Sequence, residues 1–378
     1  MAQRTLIPAI TLLFAFFAVT GCGRSKPVGV TTDGAAGTGG STDGGTLTSK
    51  LVKAIALPGM PTVSTYNSGT KKAYFACQTT ANVSVGVAVV DDATNAVVST
   101  IMLTGPVTGL AANATTKLVY ASEGDQVDVI DSATDKVTTT VKTPDGALIS
   151  GVTVDETHNL VYAVAVVTNT TNLYVLDGAT NMMRIVRQVL LYPSGAPPIA
   201  VDEAMQLVFV LGADSNGAGE MVAIDGVSGT PQKLSTSDSI VSASASGVVA
   251  LGNGQAAALL LGPNILEGLY RPDIKLADGF TPTGIAAAGV HGGRNIIVVG
   301  FGADGGSQIL VFDAVTGLPS SSALALGSGA AATTVAAGVL AAEPIAGGTE
   351  LYVDEEDPKS NPPSGPPETL KIELTTAP

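Results

Sequence analysis

Five aspartates set the frame of this chain: Asp91, Asp131, Asp177, Asp225 and Asp313 each end a short apolar run and begin a turn. They follow one another at 40, 46 and 48 residues, and the last gap of 88 is about two such steps, so a degenerate copy sits between Asp225 and Asp313. Each copy is led by a Gly or Pro, and seven such leads occur, at Pro61, Gly109, Gly151, Pro198, Gly247, Gly284 and Gly338. A unit this short cannot bury a core alone. Copies must stack against one another, and the architecture that does so with strands only is the β-propeller.

The clearest copy divides into strands by its apolar runs. After Gly109 comes a first strand ending in NATT, then KLVYAS as a second, EGDQ as a loop, VDVID as a third, SATD as a turn and KVTTTV as a fourth. The predicted fold is therefore all-β, a seven-bladed propeller of four-stranded antiparallel blades. The fifth copy lacks its aspartate but keeps NILEGLY and RPDIKLADG where its third and fourth strands belong. The seventh copy stops after TLKIELTTAP without a fourth strand, whereas LVKAIALPG at 51–59 has the fourth-strand pattern and precedes the first copy. Pairing these two pieces would complete the last blade, close the ring and remove an open sheet edge.

The N-terminus reads as a signal peptide: Arg4, an apolar run from Leu6 to Val19, then Val19-Thr20-Gly21-Cys22. The small pair before Cys22 resembles the lipobox of bacterial lipoproteins. That resemblance implies a leader at 1–21, a lipidated Cys22, and attachment to a membrane without a spanning helix. Gly23 stands where an Asp would favour the inner membrane, so the outer membrane of a bacterial cell envelope is implied. Residues 22–50 are rich in Gly, Ser, Thr and Asp and read as a flexible tether, reaching roughly 30 Å as a random coil. The propeller then occupies 51–375.

Composition narrows the partners. A net charge of −14 excludes a basic groove for nucleic acid and electrostatic adhesion to anionic lipid, leaving the acyl group as the anchor. Only Cys77 remains besides Cys22, so no intrachain disulfide forms. With no Trp and 4% aromatics, the core must come from Val, Ile, Leu and Ala.

The pattern Gly/Pro-led strand, Val-Asp, LVY, then V-x-V-I-D-x-A-T resembles the YVTN family of β-propeller repeat proteins. LVYAS (118–122), LVYAV (160–164) and LVFVL (207–211) stand at that family's namesake stretch, and Ile130-Asp131-Ser132-Ala133-Thr134 matches the motif downstream. The resemblance implies a bacterial or archaeal surface or periplasmic propeller and brings no catalytic residues.

The repeated aspartates are expected to be turn residues, since an Asp carboxylate at a strand end accepts backbone N–H groups two residues on. Gly300-Phe301-Gly302-Ala303-Asp304-Gly305 matches a dinucleotide fingerprint but lies between strands, with no helix N-terminus for a pyrophosphate. Asp214 to Glu220 spaces oxygens as a calcium loop does, without the EF-hand pattern. His158 and His291, the only histidines, fall in blades nearly opposite one another, against a shared metal site or a triad.

What does not repeat lies in the loops between second and third strands and between blades, which share one face. They carry Glu123, Asp125, Asp145, Asp214, Asp304 and the run Asp354-Glu355-Glu356-Asp357, beside the Pro-rich insertion DPKSNPPSGPPE. This face is a solvated rim or a site for a basic partner or a divalent cation; calcium is the ion that clustered carboxylates would suit, and no cofactor is expected. An enzyme of the lactonase-type hydrolase or cofactor-dependent dehydrogenase kind is the alternative. It would need convergent His, Glu, Asn or Arg from the innermost strands, and LAANA, VTVDE, IAVDE and VVALG are mostly small and apolar. The sequence favours a monomeric, non-enzymatic envelope lipoprotein that binds an envelope protein or polysaccharide, or acts as a scaffold, through its face loops.

Overall fold

The computed structural model describes residues 47–376 except 80, 168–169, 190–198, 214–218, 236–243, 253–254, 262–264, 270–273, 291–292, 304–306, 315, 321–323, 326–339, 346–347 and 356–367. Cys22, the tether before residue 47, His291, Asp214, Asp304, Glu356, Asp357 and most of the Pro-rich insertion lie outside the described residues.

Strands are the only regular elements among the described residues, and they pair antiparallel into seven four-stranded sheets. Sheet 1 comprises Met60–Asn67, Lys72–Gln78, Ser84–Asp91 and Ala96–Ile101. Sheet 2 comprises Val107–Asn113, Leu118–Glu123, Gln126–Asp131 and Lys136–Lys142, and sheet 3 Leu148–Asp155, Leu160–Val167, Thr170–Asp177 and Met182–Val189. Sheet 4 is Ile199–Asp202, Leu207–Ala213, Gly219–Asp225 and Pro231–Ser235; sheet 5 is Ser244–Gly252, Gln255–Leu261, Ile265–Leu269 and Ile274–Lys275. Sheet 6 is Thr281–Val290, Gly293–Phe301, Ser307–Asp313 and Leu324–Ala325. Sheet 7 joins Leu340–Ile345, Gly348–Glu355 and Glu368–Thr376 to a fourth strand from the other end of the chain, Leu47–Ala56. That strand begins at Leu47, inside the segment expected to be tether, because Leu47 already pairs with Thr376.

The apolar clusters explain why second and third strands lack simple alternation. Tyr74, Val87 and Val89 of sheet 1 pack with Val119, Ala121 and Ile130 of sheet 2. Tyr120, Val127 and Val129 on the opposite side of sheet 2 pack with Val161, Ala163 and Tyr174 of sheet 3. Similar clusters lie between later neighbours, and one joins Ile55 and Tyr352 of sheet 7 to Ala73, Phe75, Cys77 and Val90 of sheet 1. A strand covered on both faces must be apolar on both, as LVYAS is. Outer strands have no such cover, and Lys136–Lys142 is exposed along most of its length. The first strands touch in order, and Leu340–Ile345 of sheet 7 touches Met60–Asn67 of sheet 1.

The leading Gly and Pro have a different role from the expected strand start. In sheets 1, 2, 3, 5 and 6 the first strand begins ahead of them and carries a bulge, shifting register at Pro61/Val63, Val107/Gly109, Ile149/Gly151, Ala245/Gly247 and Pro282/Gly284. The extra residue is Thr62, Thr108, Ser150, Ser246 or Thr283, always a hydroxyl. A bulge leaves a residue out of the ladder. Here the hydroxyl makes the bond instead: Thr62 donates to the Ala76 carbonyl at 3.3 Å, Ser150 to Val164 at 3.2 Å, and Thr108 across to Ile149 of the next sheet at 2.9 Å. Gly109 is glycine because a Cβ would stand 2.9 Å from the Val152 nitrogen.

Candidate functional site

Each sheet has two ends. At the turn end, first joins second strand and third joins fourth. At the loop end, second joins third and one sheet joins the next.

At the turn end every named aspartate does what its position predicts. Asp91 Oδ1 accepts the Thr94 amide at 2.9 Å, Asp131 that of Ala133 at 2.8 Å, and Asp177 those of Ala179 and Thr180 at 2.9 Å. Asp225 takes Ser228 at 2.6 Å and Asp313 takes Thr316 at 2.6 Å. The turn closes on a left-handed residue: Asn95, Asp135, Asn181, Gly229 or Gly317. These donors lower the carboxyl pKa: the Thr94 hydroxyl and amide at Asp91, the Thr180 amide at Asp177, the Ser228 amide at Asp225. Their contribution to stability is full above the ordinary carboxylate range and is lost as pH falls through the lowered values.

The repeat also latches one sheet to the next, which the motif alone did not reveal. Tyr74, the tyrosine of the second strand in sheet 1, donates to Asp135 in the sheet 2 turn at 3.1 Å, and Lys72 bridges the same carboxylate at 2.8 Å. Burial first, then the Asp135 charge, raises the Tyr74 pKa. The arrangement recurs between sheets 7 and 1: Tyr352 donates to Asp92 at 2.7 Å and Lys371 contacts the same oxygen, with its ammonium 5.9 Å from the Tyr352 ring centre. Side chains of Lys371 and Asp92 are only 5% and 17% exposed. First turns are linked too, Glu156 accepting the Ala114 amide at 3.0 Å and Glu203 the Thr157 hydroxyl at 2.8 Å. His158 is held by Asp155, Nδ1 to Oδ2 at 2.8 Å, as part of its own turn.

Between sheets 3 and 4 the tyrosine meets a glycine. A methyl at Gly226 would stand 2.3 Å from Tyr162 Oη, a buried hydroxyl without a hydrogen-bond partner among the described residues, whose pKa burial pushes up to about 12. Gly226→Ala is expected to cost about 1–3 kcal/mol by overpacking. Tyr162→Phe alone should be close to neutral, because no hydrogen bond is lost, and should relieve part of the Gly226→Ala cost. Thermal melts of the two singles and the double check this; a double no better than the sum of the singles contradicts it.

At the loop end three of the predicted acidic residues, Glu123, Asp125 and Asp145, are already engaged. Glu123 is 2% exposed and accepts the Gly105 amide at 2.7 Å, the Thr104 amide at 3.3 Å, the Thr104 hydroxyl and the Gln126 amide at 2.7 Å. It is an internal clamp on the connection between sheets 1 and 2, not a surface ligand. Asp125 faces Lys142 at 3.3 Å, so this end does carry a cation. Asp145 accepts the Tyr174 hydroxyl at 2.9 Å and the Asn172 amide at 3.2 Å, pinning the connection between sheets 2 and 3. Asp354 and Glu355 end the strand Gly348–Glu355. Among the described residues no three His, Cys, Asp or Glu stand together as a metal site would require. Cys77 is buried within the sheet 7 and sheet 1 cluster.

Asp128 is a buried acid that the loop-by-loop reading missed. It is 3% exposed, accepts the Thr140 hydroxyl at 2.5 Å and shares Gln126 with Glu123. Alternation within VDVID places it on the face of Ile130, which packs against sheet 1, so the signal was present. Burial, with the Glu123 charge adding, raises its pKa. A raised carboxyl favours the folded state below the unfolded pKa and loses that advantage as pH climbs through the folded value. Asp128→Asn keeps the Thr140 acceptor and is expected to raise Tm at pH 7, the gain over wild type shrinking toward pH 4. Melts across that range check it; a gain independent of pH contradicts it.

No family model matches the chain, and no curated protein matches it. Among solved structures, the β-propeller domain of Cps50 (Swd1) from Myceliophteria thermophila superposes with a TM-score of 0.59 at 11% identity, covering 87% of this chain and 100% of that one. Hydrazine synthase from Kuenenia stuttgartiensis gives a TM-score of 0.48 at 15% identity, covering 80% of this chain and 77% of that one. The first likeness, joined to the antiparallel four-stranded sheets, establishes the fold alone: this chain is a β-propeller.

Proposed function

We propose that the chain is a bacterial cell-envelope lipoprotein of the YVTN repeat type, a seven-bladed ring that acts as a non-enzymatic binding or scaffold module. The ring reading is supported by first strands touching in cyclic order, and by Tyr352 and Lys371 of sheet 7 reaching Asp92 of sheet 1. The N-terminal strand then completes the last blade and leaves it no open inner pairing.

The observation that carries the binding role is the construction of the loop end. Its connections are pinned by internal carboxylates: Glu123 on Thr104 and Gly105, Asp145 on Tyr174 and Asn172, and backbone bonds from Thr143 to Asp125 at 2.8 Å and Ile149 to Gly124 at 2.7 Å. Loops fixed in this way spend little entropy when a partner binds, which is what a recognition surface needs. The partner class is an envelope protein or polysaccharide. Affinity capture from envelope extracts, with Asp354→Lys/Glu355→Lys and Asp125→Lys variants as controls, should recover a component with wild type that the variants lose; equal capture by all would sink the loop-end role. For the anchor, Cys22→Ser is expected to move the protein from the membrane to the soluble fraction, and a variant that still sediments with membranes refutes lipidation.

A further inference from the structure

We propose that the connection between sheets 1 and 2, residues 102–106, is a proton-controlled strap: it lies closed while Glu123 and Asp128 hold one proton between them and comes free when that proton is lost. The strap is a property of the fold and needs neither the anchor nor a bound partner.

A single carboxylate holds this connection. Between Ile101, where pairing in sheet 1 ends, and Val107, where it resumes in sheet 2, no backbone-to-backbone hydrogen bond forms among the described residues. The polar hold is Glu123, which accepts the Thr104 and Gly105 amides and the Thr104 hydroxyl. Leu103 adds a partly buried side chain to the cluster between the sheets, whereas Met102 is 70% exposed.

Beneath that carboxylate lies another. Strand alternation puts Glu123 and Asp128 on the face of Ala121 and Ile130, toward sheet 1. They are 2% and 3% exposed, and both accept from the same Gln126 amide nitrogen, at 2.7 and 3.5 Å. Among the described residues no cation pairs with either. Lys142, opposite Gln126 on the fourth strand, is 65% exposed and faces Asp125 at 3.3 Å. The surrounding elements bring no compensating charge. In sheet 1, Lys72 and Tyr74 are engaged by Asp135 at the turn end, Asp91 ends its strand there, and Tyr66 and Cys77 pack toward sheet 7. In sheet 2 the first strand has no titratable residue, Tyr120 faces sheet 3, and Asp131 and Lys136 pair at the turn end. The connection to sheet 3 brings only a further anion, Asp145, and the first strand of sheet 3 only Asp155, at its turn end.

Two carboxylates taken out of water side by side repel each other when both ionise, so the pair keeps a proton above the ordinary carboxylate range. The bonds say where it sits. Glu123 accepts from Thr104, Gly105 and Gln126 and stays ionised, whereas Asp128 has the Thr140 hydroxyl and the longer Gln126 contact and takes the proton. Burial and the Glu123 charge act on Asp128 in the same direction. Once rising pH removes the proton, the two side chains do not yield equally. Asp128 is fixed mid-strand, paired with Ala121 and Thr140. Glu123 ends its strand, before Gly124 at φ 53°, and by turning out to water it relieves the repulsion and releases Thr104 and Gly105.

Hydrogen exchange of the mature chain, read by mass spectrometry and corrected for intrinsic rates, tests this. Protection of the Thr104 and Gly105 amides should fall about tenfold or more between pH 5 and pH 8. Protection of Ala147, whose amide meets the lone carboxylate of Asp145, should stay constant. Asp128→Asn, neutral at every pH, should keep at pH 8 the protection that wild type shows at pH 5. The infrared difference spectrum, wild type minus Asp128→Asn at pH 5, should show a protonated carboxyl. The wild-type profile decides the matter even where the variant folds poorly: Thr104 and Gly105 protection that does not change with pH overturns the proposal. An equal fall in Asp128→Asn overturns it too, since the pair then has no part in the release.

Discussion

Asp92→Ala is expected to cost about 3–5 kcal/mol and to lower Tm by roughly 10 °C, the largest effect of any single side chain described here. The reason is Lys371. Its side chain is 5% exposed, lies over the Tyr352 ring, and has the Asp92 carboxylate as its counter-charge. Removing that carboxylate takes the ion pair from a buried ammonium and leaves it the Asp92 backbone carbonyl at 3.3 Å, over a Tyr352 ring that itself packs on Tyr66 and Phe75. A buried ammonium that has lost its ion-pair partner is more costly than the absence of both charges. The double variant Asp92→Ala/Lys371→Met should therefore recover most of the loss, and a thermodynamic cycle of the four proteins would give a large favourable coupling. If Asp92→Ala melts within a degree of wild type, the pair is not a structural clasp.

Deleting Leu47–Ala56 is expected to do more damage still. The strand pairs along its length with Glu368–Thr376, which would otherwise become the exposed edge of sheet 7. It also buries Ile55 in the cluster shared by Tyr352, Phe75 and Val90. Unpaired edges recruit other chains. The truncated protein should elute as oligomers on size exclusion and melt below Asp92→Ala. Adding the decapeptide LTSKLVKAIA in trans should restore monomer, while the same peptide with Ile55→Asp should not. A truncated protein that remains monomeric with wild-type Tm would remove this strand from any role in holding the fold.

Much of the fold was legible because it repeats. The turn aspartates and the LVY stretches recur at one period and stand where that period placed them, while the fourth-strand pattern read at 51–59 falls in a strand that runs from Leu47 to Ala56. What was misplaced or missed falls between copies. The Gly and Pro leads looked like strand starts because a bulge adds one residue without changing apolar content; the small hydroxyl beside each was the overlooked sign. Tyr74 and Tyr352 were visible as repeat tyrosines, but their partners Asp135 and Asp92 belong to the neighbouring copy, and nothing within one repeat names them. Glu123 read as a loop acid because it precedes Gly124-Asp125. Only the folded connection at Thr104 and Gly105 shows it turned inward. The recognition surface is the least legible part, since loops that carry specificity are those without a period.

The contact between Tyr352 and Asp92 spans 260 residues of chain, and the strand that completes sheet 7 is made before any other described strand. During synthesis Leu47–Ala56 must wait, unpaired, until Glu368–Thr376 has emerged. Contacts of such separation form late and slowly, and a waiting strand is open to capture by other chains. The protein thus has a vulnerable interval set by its own length. Its Lys50 and Lys53, both exposed on that strand, are the charges that natural edge strands use to discourage premature pairing.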